Sequence, residues 1–276
     1  KENTKIWRDE MKTRVISAIC MIAILLPLLI VGGELFAFLV GVIGCFALRE
    51  LLQLFKKEKN LPFLTEVLAY LTVLYLIWQN YDSNTLIFSL DYRVLVLLLF
   101  IFFVPTVLLS DNKKYSFQDG LSLLGSTLLI GFAFHLFIVI RNYSLNTFIY
   151  LILITTMTDT FALLTGMWIG KTKLCPAISP KKTVEGLIGG TFMGSFLAIL
   201  FYLTVIDAAV PFHYLLIVTV TLSLVGQLGD LVFSQIKRYY NVKDFSNLIP
   251  GHGGILDRLD SIIFVVMMYT IFISII

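Results

Sequence analysis

The sequence predicts an all-α, polytopic integral membrane protein of about nine transmembrane helices with its N-terminus in the cytoplasm, and three observations predict it. Hydrophobic residues make up 58% of the 276 and charged residues only 14%, which leaves too little polar surface to cover a water-soluble globule. The mean hydropathy is +0.90, and the apolar residues gather into runs of about 20, the length that crosses the hydrocarbon core of a bilayer as a helix. Lys and Arg, finally, fall in alternate connections between those runs.

Apolar runs bounded by charge or turn residues place the spans at 15–32, 35–54, 62–79, 93–110, 120–140, 146–169, 186–206, 213–232 and 260–276. The first follows the basic stretch from Lys1 to Arg14, as a signal peptide would. Its length and the poor cleavage sequence Gly32-Gly33-Glu34 favour an uncleaved helix, preceded by a lead-in of about a dozen residues that is amphipathic or disordered. With the N-terminus inside, every Lys and Arg except Arg93 and Arg141 falls on the cytoplasmic side. The net charge of +3 therefore reports membrane orientation and gives no reason to expect nucleic acid as a partner. Cys20 and Cys45 lie in apolar spans and Cys175 in a cytoplasmic connection, so neither a disulfide nor a zinc site is implied.

The chain divides by content into a scaffold of apolar helices, 1–145, and a region rich in chemistry, 146–276, whose loops face the cytoplasm. Asp159 lies in the middle of an apolar run, flanked by Thr155, Thr156, Thr158 and Thr160, whose hydroxyls are expected to share a polar cavity with it. An ionisable side chain at that depth is expensive and points to function, although a neutral Asp bonding between helices would also account for it. Gly166 to Thr172 has the look of a phosphate loop, but three residues separate its glycines where four are needed, and the setting is a helix end. The segment Ser179-Pro180-Lys181-Lys182-Thr183-Val184-Glu185-Gly186 joins lysines and hydroxyls to a helix start, where backbone amides favour an anion; a basic loop retained on the inside explains the lysines equally well. Gly186, Gly189, Gly190 and Gly194 have the small-xxx-small spacing of close helix packing.

Residues 229–260 hold the densest cluster: Asp230, Ser234, Lys237, Arg238, Lys243, Asp244, His252, Gly253, Gly254, Asp257, Arg258 and Asp260. Orientation needs only one or two of these charges. Asp230 stands near the end of one helix and Asp257 and Asp260 at the start of the next, so a folded-back loop would gather oxygen ligands for a hard cation such as Mg2+, with Lys and Arg on phosphate. Asp in a first helical turn is also what the helix dipole prefers. His252, set between glycines, fits a base, a phosphate donor or a simple turn residue.

The run Ser234-x-x-Lys237-Arg238-x-x-x-x-Lys243-Asp244, followed by Leu248-Ile249-Pro250-Gly251-His252-Gly253-Gly254-Ile255-Leu256-Asp257-Arg258-Leu259-Asp260-Ser261, resembles the signature of the phosphatidate cytidylyltransferase family. The Ser-Pro-Lys-Lys-Thr-x-Glu-Gly segment and Asp159 resemble that family's other polar stretches, so the likeness is strong over residues 155–265 and elsewhere rests on hydropathy. It implies a Mg2+-dependent nucleotidyl transfer in which the phosphate of phosphatidic acid attacks the α-phosphorus of CTP. CDP-diacylglycerol forms for phospholipid synthesis at the cytoplasmic face of the inner (plasma) membrane, and pyrophosphate leaves. It further implies an all-helical dimer and, beside Mg2+, a second monovalent cation such as K+. By that likeness Asp230 and Asp257 are central metal ligands supported by Asp260, and Lys237 joins these three carboxylates in catalysis. Arg238, Lys243 and Arg258 bind phosphate, and Ser179, Lys181, Lys182, Thr183 and Glu185 help hold CTP, while Asp159, Ser234, Asp244, His252, Gly253 and Gly254 complete the substrate site.

Two other classes fit less well. A CDP-alcohol phosphotransferase carries Asp-x-x-Asp-Gly-x-x-Ala-Arg, and the single Asp-Gly here, Asp119-Gly120, lacks the Ala-Arg. A multi-span transporter would use an intramembrane Asp such as Asp159 but would spread charge along a path through the membrane, whereas this chain concentrates it at one face.

Overall fold

In a bilayer every backbone amide and carbonyl must be satisfied within its own segment or by neighbouring protein, which an apolar run achieves as a helix. The computed structural model describes residues 2–79, 92–109 and 114–275 and is nearly all helical. In order these are α1 (Glu2–Val31), α2 (Gly33–Glu58), α3 (Phe63–Trp78), α4 (Tyr92–Leu108), α5 (Phe117–Tyr143) and α6 (Leu145–Ile169). A hairpin of β1 (Lys173–Cys175) and β2 (Ser179–Thr183) follows, then α7 (Val184–Phe201), whose chain continues as a π-helical turn over Tyr202–Ile206, then α8 (Phe212–Tyr239) and α9 (Leu256–Ile275). Among the described residues six helical segments are long and apolar enough to cross a membrane: Thr13–Val31, Gly33–Lys57, Phe117–Tyr143, Leu145–Ile169, Val184–Ile206 and Phe212–Tyr239. Helices α3 and α4 are apolar but shorter. This is the build of a polytopic membrane protein.

Several expected boundaries move. Helix α1 begins at Glu2, so the expected lead-in is helical, and Lys1, Lys113 and the last residues of the fourth and ninth expected spans lie outside the described residues. Helix α8 runs seven residues past the expected end at 232, because Leu231, Phe233 and Ile236 continue the apolar spacing through the charged stretch. It stops where Asn241 takes a left-handed φ of 53°, a conformation Asn tolerates at a helix C-terminus. The segment 173–183, expected as a loop, is an antiparallel hairpin in register Lys173 to Thr183 and Cys175 to Ser179.

The chain forms two compact units. The first takes residues 1–142 with 244–257. Its interior is apolar, with Leu48, Leu52, Leu76, Ile77, Leu123 and Phe134 fully buried, and its polar groups find partners: Trp78 Nε1 donates to the carbonyl of Ala37 at 3.0 Å, and Lys59 pairs with Asp119 at 2.6 Å. Arg141 closes the C-terminus of α1 by donating to the carbonyls of Leu29 (2.7 Å) and Ile30 (2.6 Å), which no later turn of that helix reaches.

The second unit takes residues 143–243 with 258–276. Here α6 and α7 pack through the expected glycine face. A Cβ on Gly186 would lie 2.7 Å from the Ala162 carbonyl and one on Gly190 2.6 Å from that of Thr158, so only glycine admits this approach. Hydroxyl pairs tie α6 to α8 as well, Tyr150 to Thr219 at 2.6 Å and Thr158 to Ser223 at 2.8 Å. Gly190→Leu is expected to overpack this contact and cost about 1–3 kcal/mol, read as a lowered unfolding temperature of the detergent-purified protein.

Candidate active site

Four elements of the second unit bring charge together. Helix α8 presents Asp230, Ser234 and Lys237 at i, i+4 and i+7, one face of a helix, which was hidden while the stretch beyond 232 read as a loop. Ser234 donates to Asp230 Oδ1 at 3.2 Å, and Lys237 is buried. From β2, Lys182 Nζ reaches Asp230 Oδ2 at 2.6 Å. Asp260, in the second turn of α9, has its carboxylate within hydrogen-bonding reach of that of Asp230. Its Oδ1 accepts the amide of Ser261 at 2.8 Å. From α6, Asp159 Oδ2 accepts the Ser261 hydroxyl at 3.3 Å and lies within electrostatic reach of Asp230 and Lys182.

The hydroxyls around Asp159 do not supply its partners. Thr155, Thr156 and Thr160 bond back to carbonyls one turn earlier in α6, and Thr158 bonds to Ser223. That is the ordinary behaviour of hydroxyls inside a helix, and the partner comes instead from α9.

The hairpin is held by side chains that the sequence offered as ligand contacts. Thr183 caps α7, its Oγ1 accepting the amide of Gly186 at 3.1 Å. Glu185 accepts the amide of Thr172 with both oxygens, at 3.1 and 3.2 Å. Arg238 donates from Nε to the carbonyl of Ile178 and from a terminal nitrogen to that of Val242, each at 3.1 Å, tying the hairpin turn to the end of α8. Lys181 and Lys243 are exposed, and Ser179 opens β2 half-buried.

In the first unit, residues 249–253 form a tight turn in which Ile249 and Gly253 exchange backbone hydrogen bonds at 2.9 and 3.1 Å. Gly251 and Gly253 take φ of 76° and 83°, which favours glycine at both. His252 Nδ1 meets the Ser17 hydroxyl of α1 at 2.9 Å. Asp257 Oδ2 accepts the amides of Phe245 and Gly254, both at 2.9 Å, leaving lone pairs for a further contact. Asp244 lies beside Gly253, its Cβ 3.6 Å from where a Gly253 Cβ would be; in the second unit, Arg258 is exposed in the first turn of α9. Glu50 of α2, which the sequence reading assigned to apolar scaffold, is buried and bonds Ser246, Ile255 and Leu256. Its place beside Arg49, near the charged end of an expected span, gave no signal in the sequence, where it resembles an ordinary helix-end charge.

Mg2+ is held by oxygen in near-octahedral geometry, usually through one or two carboxylates, with water and substrate phosphate completing the shell. Among the described residues no three His, Cys, Asp or Glu side chains form a ready-made cage. The adjacent carboxylates of Asp230 and Asp260, with Asp159 nearby and Lys182 as the neutralising cation, suit that open kind of site.

Fold and site together define a helical membrane protein that gathers carboxylates and lysines from three helices and a hairpin, an arrangement suited to phosphate chemistry. The chain belongs to the cytidylyltransferase family, whose model matches residues 12–276. It is similar to the phosphatidate cytidylyltransferase of Staphylococcus haemolyticus, 38% identical over 265 residues that cover 95% of this chain and 98% of that protein. The phosphatidate cytidylyltransferase of Bacillus subtilis is 39% identical over 260 residues, 93% of this chain and 95% of the relative, and that of Staphylococcus aureus (strain COL) 38% over 262, 95% and 98%.

Arg238→Ala is expected to loosen the hairpin turn, so backbone amides of residues 173–179 should exchange with deuterium faster while those of α6 keep their protection.

Proposed function

We propose that the chain transfers the cytidylyl group of CTP to phosphatidic acid, giving CDP-diacylglycerol and pyrophosphate. The observation that carries this reading is the cluster of Asp159, Lys182, Asp230 and Asp260 in a chain of this family. A phosphate oxygen of phosphatidic acid forms a bond to the α-phosphorus as the bond from that phosphorus to the bridging oxygen of the β-phosphate breaks, and pyrophosphate takes the electron pair. The attacking phosphate is ionised at neutral pH, so no strong general base is required, and alignment with charge neutralisation does most of the catalysis.

Asp230 and Asp260 would hold Mg2+, and the assignment of Asp257 as a further ligand rests on the resemblance of its signature, as does a second monovalent cation such as K+. Mg2+ bound there would neutralise phosphate charge and align the triphosphate. Lys182 neutralises Asp230 and, with Lys181 and Lys237, supplies point charges for the phosphates. Arg238 keeps the hairpin carrying Lys181 and Lys182 against the end of α8, and Ser234 orients Asp230. Lys243 and Arg258, exposed near the helix ends, are assigned to phosphate, and Ser179, Asp244, His252, Gly253 and Gly254 to the substrate site. Nine spans, a cytoplasmic N-terminus, a site opening on the cytoplasmic face of the cell membrane and a homodimeric assembly belong to the same proposal, supported by the distribution of Lys and Arg and by the resemblance.

Purified protein given labelled CTP should move label into organic-extractable lipid only when phosphatidic acid and Mg2+ are both present. Chelation should abolish incorporation, and added Mg2+ should restore it. Asp230→Asn and Asp260→Asn should each lower turnover by about 10²–10³-fold or more without unfolding the protein, since each removes one negative charge from the transfer site. Asp257→Asn should abolish transfer while the protein stays folded in detergent; normal turnover in that variant would remove it from the ligand set.

A further inference from the structure

Glu50 is 2% exposed on α2. An ionised carboxylate in such a place must be paired or saturated with hydrogen bonds, and Glu50 is saturated by one segment. Its Oε1 accepts the Ser246 hydroxyl at 2.6 Å and the Ile255 amide at 2.8 Å, and its Oε2 accepts the Leu256 amide at 2.9 Å. Leu256 opens α9, so the charge also sits where the helix dipole favours an anion. Gly254 makes room for it, because a Cβ there would lie 2.5 to 2.7 Å from the Glu50 carboxylate.

Asp257 works in parallel, taking the amides of Phe245 and Gly254. The two ends of the segment 244–257 are thus stitched twice, at 245 and 254 through Asp257 and at 246, 255 and 256 through Glu50. One of these carboxylates comes from the segment itself and the other from a helix some two hundred residues earlier in the chain. The backbone so fixed bears the Gly251-His252-Gly253-Gly254 turn and Asp257.

We infer that Glu50 is a positioning residue for the transfer reaction, acting from α2 through the segment 244–257 to set Asp257 and the glycine turn. The inference rests on the cytidylyl-transfer reading above. A buried anion aligned on three donors holds a segment in one geometry, whereas apolar contact alone would let it slide.

The test uses the full chain in detergent with two variants, Glu50→Gln and Ser246→Ala. Glu50→Gln keeps the shape but replaces one acceptor by a donor facing other donors. Its turnover number is expected to fall about tenfold to a hundredfold, with the unfolding temperature close to that of the parent. Amides of residues 245–256 should exchange with deuterium faster while those of α5 keep their protection. Ser246→Ala removes one of the three donors and should lower turnover several-fold, and by less when Glu50→Gln is already present, since the two act through one contact. Parental turnover in a folded Glu50→Gln overturns the inference, whether or not the segment loosens, and so does unchanged exchange over 245–256. Should Glu50→Gln fail to fold, Ser246→Ala decides, because parental turnover in that variant overturns the inference as well. A parent chain that moves no label into lipid defeats the transfer reading instead, and the exchange comparison still shows whether Glu50 holds the segment.

Discussion

Carboxylates set into apolar surroundings must be paired or saturated with hydrogen bonds, and the polar architecture of this protein follows from how that is done. Asp230 meets Lys182 at 2.6 Å, and without a cation its position beside Asp260 would bring two like charges together. The hairpin, its cap and the arginine that ties its turn to α8 keep that lysine in place. In water the same charges would be screened and solvated, and their geometry would carry less meaning.

The close approach of α6 and α7 makes the arrangement possible. In lipid, helices gain little from excluding water, so contact depends on small residues and on hydrogen bonds between helices. Gly186 and Gly190 let α7 lie against the carbonyls of α6, and hydroxyl pairs join α6 to α8 on another side. One end of this stack is the start of α7, where the hairpin delivers Lys182, and α6 itself bears Asp159. Packing and chemistry thus use the same pair of helices, and loss of a glycine would disturb both.

In the first unit the same rule appears in another form. Glu50 and Asp257 meet backbone amides instead of lysines, and both fix the one segment 244–257. The glycines of 251–254 serve two ends there: positive φ at 251 and 253, and room for a carboxylate at 254.

Much of this was legible in the chain. Apolar run lengths marked the helices, the small-residue spacing marked a close-packing face on α7, and the charged cluster over 229–260 marked the chemistry, because each depends on local composition or on periodicity within one helix. Tertiary structure alone decided the partners. That Lys182 and Asp260 meet Asp230 on this face of α8 follows from packing that brings the hairpin and α9 to it. That Ser261, and not the neighbouring threonines, bonds Asp159 could not be read, since a helical threonine satisfies itself on its own backbone. That Glu50 serves the segment 244–257 joins residues about two hundred apart, and no local pattern records it. Sequence determined which residues could bear charge in the membrane; the tertiary fold decided which of them meet, because the cost of a buried charge is met only by the particular groups that packing brings within hydrogen-bonding distance.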